Sequence, residues 1–130
     1  MMVARAEAAL QKLSVHFAAW LAEEIELLDK ARIRARQEGF NAETAEALNV
    51  RAHEMKSLGA TYGFPVITDI AGSLCRLLEE PETRMTAPLY LIDAHIDAIA
   101  AAVRDNVRSR TDPIGRALVG ELDGLVRKVA

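Results

Sequence analysis

Residues 48–64 read L-N-V-R-A-H-E-M-K-S-L-G-A-T-Y-G-F. Leu48, Ala52, Met55, Gly59 and Tyr62 recur at steps of three and four, the spacing that lines one face of an α-helix. At about 100° per residue these five cluster within roughly 40° of one direction, the expected core side. No two-residue alternation competes with that pattern, so the stretch reads as helix. Two glycines weaken it, each by roughly 1 kcal/mol against alanine in a helix interior. Gly59 falls on the core stripe, where a missing Cβ lets another helix approach closely. Gly63, followed by Phe64 and Pro65, marks the helix end.

The same periodicity extends almost end to end. A first helix is expected over about 3–38, with Leu10, Leu13, Phe17, Leu21, Ile25 and Leu28 on one stripe and Gly39 as its left-handed cap. Asn41 then caps the second helix, about 42–62. A third, about 65–80, directs Ile67, Ile70, Ala71, Leu74 and Leu78 inward until Pro81 stops it. Thr86 is expected to cap a fourth helix, about 87–108, carrying Leu89, Ile92, Ile96, Ile99 and Val103. Asp112 and Pro113 open a shorter fifth, with Ile114, Leu118, Leu122, Leu125 and Val129. The fold class is therefore all-α, and the short connections favour an antiparallel up-down bundle. With no internal repeat, low-complexity tract or linker, residues 1–130 read as a single domain.

Composition agrees: 51% of the 130 residues are apolar and 27% charged, a globular balance, and only 5% are aromatic. A net charge of −3 supplies no general field toward nucleic acid or anionic lipid. Cys75 is the single cysteine, which excludes an intramolecular disulfide and a thiolate metal cage. It reads as a small core residue in a reducing compartment. No segment approaches the roughly 18 apolar residues of a membrane span, and the N-terminus has no signal-peptide pattern. A cytoplasmic location is expected.

His53 lies about 140° from Leu48 on the helical wheel and should face outward. Asn49, Lys56, Ser57 and Ala60 fall on the same side, three, four or seven residues away. That face suits phosphoryl carriage. A neutral imidazole, with an unperturbed pKa of about 6.5, is a nucleophile near pH 7. Lys56, one turn on, can donate a charge-assisted hydrogen bond to phosphoryl oxygens. Ser57 and Ala60 are small enough to leave room for the phosphate and for a docking partner. Glu46, Asn49 and Val50, one or two turns back, read as partner contacts. Residues 26–28 of the first helix are expected to lie alongside His53.

At His53, Lys56, Ser57, Ala60 and Gly63 the chain resembles the histidine phosphotransfer (HPt) family of bacterial two-component phosphorelays. The run A-G-S-L-C-R-L-L-E at 71–79 is similar to that family's third helix, and the likeness covers about residues 17–108. The resemblance implies a four-helix bundle with the phosphorylatable histidine on its second helix, the fifth being an additional C-terminal helix. It implies that His53 accepts and donates the phosphoryl group between receiver-domain aspartates, with Lys56 as stabiliser. With Asn49 and Val50 added from their position on the helix, the expected binding residues are Asn49, Val50, Ser57, Ala60 and Gly63. The implied partners are a response-regulator receiver domain, a hybrid sensor kinase, or both. Magnesium belongs to the partner's acidic site, so no cofactor or metal is expected here. The family has no kinase activity of its own, and the chain carries no G-x-x-x-x-G-K-[ST] phosphate loop. The stretch G-A-T-Y-G-F at 59–64 is close to the version in chemotaxis kinases, but a separate relay carrier is the preferred expectation.

Two other classes compete. A helical scaffold or interaction module would use the same bundle without taking phosphate. A metal-dependent enzyme would need a His/Glu pair at metal spacing on one helix, which is absent. His16 and His95 have no comparable neighbours and are expected to carry no role. Trp20 and Tyr62 read as core or core-edge packing. The run K-A-R-I-R-A-R at 30–36 reads as cations complementing a helix C-terminus.

Overall fold

The computed structural model describes residues 2–129. They form six helices: α1 (Met2–Glu38), α2 (Ala42–Thr61), α3 (Pro65–Leu78), α4 (Pro81–Arg84), α5 (Leu89–Arg104) and α6 (Pro113–Val129). No strand occurs among the described residues. Nor, among them, is any helix long and apolar enough to cross a membrane.

The helix ends follow from local chemistry. Gly39 turns the chain at φ +94°. Asn41 and Thr44 then form a reciprocal capping box, each side-chain oxygen accepting the other's backbone N–H at 2.9 Å. Such a cap is worth about 1 kcal/mol. α2 closes in a Schellman turn. The Phe64 N–H donates to the Gly59 carbonyl at 2.8 Å and the Gly63 N–H to Ala60 at 3.1 Å. Gly63 sits at φ +86°, where a Cβ would be strained. Asp112 Oδ1 accepts the Ile114 N–H at 2.9 Å at the start of α6.

Three boundaries differ from the sequence expectation. α3 ends at Leu78, and Pro81 opens the one-turn α4 rather than only stopping α3. Thr86 does not cap the following helix, because its hydroxyl donates back to the Thr83 carbonyl at 2.7 Å. Pro88 takes the N-cap position, and α5 spans Leu89–Arg104 instead of 87–108. Buried Arg84 ties α4 to α2 by donating to Glu46 at 2.7 Å.

α3 is the central element. Ten of its fourteen residues are buried, the signature of a helix covered on nearly every side. It packs against α2, α5, α6 and α4, while α1 lies against α2 and α5. Phe17 stacks on Tyr62 at 5.2 Å and Arg34 pairs with Glu43 at 2.6 Å, so α1 and α2 run antiparallel. Arg32 reaches Asp97 at 2.7 Å and Arg36 reaches Asp93 at 2.9 Å, which sets α5 antiparallel to α1 as well. The basic run thus serves interhelix ion pairs as much as the helix end.

The α1 stripe enters the core only from Phe17 onward. Leu21 and Leu28 are fully buried, but Leu10 and Leu13 are 64% and 43% exposed. The reason is length. At 1.5 Å per residue α2 spans about 30 Å and α1 about 55 Å, so the N-terminal part of α1 projects past its partner. Leu89 and Ile114 also differ from expectation, both exposed at their helix starts, and Val129 is exposed at the end of α6. Val126, outside the anticipated stripe, is buried instead.

Candidate functional site

The face that carries His53 is positioned by an unusually close α2–α3 contact. A Cβ built on Gly59 would lie 2.7 Å from the Thr68 backbone nitrogen. The missing side chain therefore lets the two helices meet backbone to backbone, as the stripe pattern anticipates. Thr68 uses that closeness. Its hydroxyl donates to the Lys56 carbonyl at 2.9 Å and accepts the Ala60 N–H at 2.8 Å, bridging one rung of α2. One turn further back on α2, a Cβ at Gly72 would lie 4.0 Å from Lys56 Cε and 4.0 Å from Arg76 Nη1. Residue 60 thus faces 68 and residue 56 faces 72. The same antiparallel register sets residues 52–53 opposite 75–76.

His53 stands on the α3-facing edge of this surface and is half-buried rather than fully projecting. Lys56, Ser57 and Ala60 are exposed beside it. Ser57 turns back along the helix, its hydroxyl donating to the His53 carbonyl at 3.1 Å, which holds it against the backbone. Val50 is exposed one turn before. Asn49 is half-buried, and its Oδ1 is sealed from solvent without a hydrogen-bond partner, alone among the described residues in that respect. Gly63 lies apart from this group, in the α2–α3 turn, where Arg108 crosses the Phe64 ring at 4.5 Å. The α1–α2 pairs Phe17–Tyr62 and Arg34–Glu43 bring residues near 25 level with His53, slightly before the anticipated 26–28.

Glu46 is not a free partner contact, because it neutralises buried Arg84. Three residues given no site role in the sequence reading belong to the neighbourhood: Thr68, Arg76 and Asp123. Arg76 and Asp123 line a cleft with Lys56 and Gly72 between α2, α3 and α6, and they form an ion pair across it.

The other histidines behave differently. His95 is buried; its Nδ1–H donates to the Leu91 carbonyl at 2.7 Å and its Nε2 accepts from the Ser73 hydroxyl at 3.0 Å. Burial pushes its pKa below the ordinary histidine range, so it is a neutral core residue. His16 is exposed and stacks on Trp20 at 5.6 Å. Cys75 is buried, and burial raises its thiol pKa to about 11, which leaves it unreactive. Among the described residues no group of three or more His, Cys, Asp or Glu side chains is arranged to hold a metal ion.

No protein-family model matches the chain, and no curated protein or solved structure matches it.

Proposed function

We propose that this protein is a histidine phosphotransfer carrier, with His53 as the residue that takes and returns the phosphoryl group. The observation that carries the reading is the alignment of half-buried His53 with exposed Lys56, Ser57 and Ala60 on one edge of α2, the Ser57 hydroxyl being tied back to the His53 carbonyl. In this reading α1, α2, α3 and α5 are the up-down four-helix bundle, α4 is a connecting turn and α6 is the additional C-terminal helix. Partner docking uses Asn49, Val50, Ser57 and Ala60, and Gly63 serves the helix end.

The chemistry needs little from the carrier. A ring nitrogen of His53 attacks the phosphorus of a receiver's aspartyl phosphate. The N–P bond forms as the P–O bond to the aspartate breaks, and the carboxylate leaves with its electron pair. Lys56 offsets charge on the phosphoryl oxygens. Alignment of the three reacting atoms comes from docking, and magnesium in the receiver's acidic pocket supplies the remaining charge stabilisation. Without a receiver or kinase the protein should not turn over. Its compartment in this reading is the cytoplasm.

The test is transfer from a phosphorylated receiver. Wild type should gain acid-labile, base-stable label and His53→Gln none. Label retained by the variant moves the site elsewhere; no label from any of several receivers favours a scaffold that takes no phosphate.

A further inference from the structure

Lys56 Cε and Arg76 Nη1 each lie 4.0 Å from the point where a Gly72 Cβ would stand, and both side chains line the same cleft. Two cations lining one cleft repel each other unless an anion lies with them. The anion present is internal: Arg76 donates to Asp123 of α6, and Asp123's other carboxylate oxygen takes Arg127 at 2.9 Å. Asp69, the remaining carboxylate of the cleft, is already held by Arg110 at 2.8 Å. Lys56 makes no ion pair among the described residues. The Arg76 side chain is 53% exposed and that of Asp123 17%, so the cation is reachable from solvent and its carboxylate partner is sheltered.

We infer that Lys56 and Arg76 form a binding pair for a dianionic phosphoryl group, and that Asp123 is its resident, displaceable counter-charge. Arginine's fork matches two phosphate oxygens at once, and a dianion competes favourably with a single carboxylate. Gly72 keeps the floor between the cations open. The α2–α3 register sets the pair about one helical turn from His53, so the covalent source of that ligand rests on the function proposed above; free phosphate is the other source. Because Asp123 belongs to α6, filling the pair loosens one tether of that helix.

Inorganic phosphate titrated into the full chain, followed by NMR of the Arg76 Nε–H and the Gly72 amide, tests the site without any relay chemistry. Both signals should move in wild type. The competition of one carboxylate for a half-exposed arginine is worth about 1 kcal/mol, so Asp123→Asn should tighten phosphate roughly two- to five-fold. Arg76→Gln should abolish the response at Gly72, and Arg76→Lys should keep part of it. Signals unmoved in Asp123→Asn, or a Gly72 response undiminished in Arg76→Gln, overturn the inference. If Arg76→Gln loses its native spectrum, Arg76→Lys and Asp123→Asn decide. A second arm labels His53 with phosphoramidate. The Arg76 signal should shift as it does with phosphate, and His53→Gln should prevent that shift. Labelled His53 with Arg76 unmoved in both arms sinks the anion pair and leaves the carrier reading standing. An unlabelled His53 that still shows the phosphate response does the reverse.

Discussion

Replacing Gly59 with alanine tests whether α2 and α3 truly meet through their backbones. The new methyl would lie 2.7 Å from the Thr68 nitrogen, 2.8 Å from Thr68 Oγ1 and 3.1 Å from Ile67 Cγ2. The first of these is a main-chain atom and cannot rotate aside, so α3 must slide. Sliding disturbs fully buried Ile67 and the hydroxyl bridge to Lys56 and Ala60. Overpacking of this kind costs about 1–3 kcal/mol, and weakening the bridge about 1 more. The improved helix propensity of alanine returns about 1 kcal/mol. A net loss of about 1–3 kcal/mol is expected. Gly120 is the control: a Cβ there meets nothing within 4 Å, so Gly120→Ala should gain about 0.5–1 kcal/mol. Urea unfolding of both variants, with unchanged m-values, measures the difference. A Gly59→Ala protein as stable as Gly120→Ala would show that the close approach is not real.

Asn49→Leu removes the orphaned Oδ1 and should leave stability unchanged or raise it by about 1 kcal/mol; a lower urea midpoint would mean that the oxygen has a partner. His95 titrates below the ordinary range when folded, so the unfolded chain binds a proton that the folded chain refuses. Its contribution is complete above about pH 6.5 and declines as pH falls below that, by at most about 1.4 kcal/mol per pH unit. His95→Gln should flatten that part of the stability–pH curve, and an unchanged slope refutes the assignment. Cys75, buried and with its thiol pKa at about 11, should react with an alkylating reagent at pH 8 only as fast as the protein unfolds. Rapid labelling of the native chain would contradict its burial.

Helix periods, Gly39, Asn41 and the Gly63 turn were legible because each is a local pattern with a local cause. The α2 stripe was equally plain, since Leu48, Ala52, Met55 and Gly59 are all buried. Leu10 and Leu13 misled because amphipathicity shows which side of a helix is apolar, not how far its neighbour extends. α4 has four residues, too few for any period to register. Thr86 offered good capping chemistry, but the turn ending α4 claimed its hydroxyl first. His95 could have been found: it sits three residues after Ile92 and four before Ile99, on the apolar face. The His53 face was read from angle and spacing together with a family resemblance, which gave Lys56, Ser57 and Ala60 their places. Arg76 and Asp123 could not be, because what joins them to Lys56 is the register between helices rather than separation along one.

The Thr68 bridge makes one amide of α2 a gauge of its neighbour. The Ala60 N–H donates to a hydroxyl that belongs to α3, so its hydrogen exchange reports the departure of α3 as well as the fraying of its own helix. Adjacent amides held only within α2 lack that interhelix partner. Comparing Ala60 with them would therefore read out, at a single backbone position, how often the two helices part.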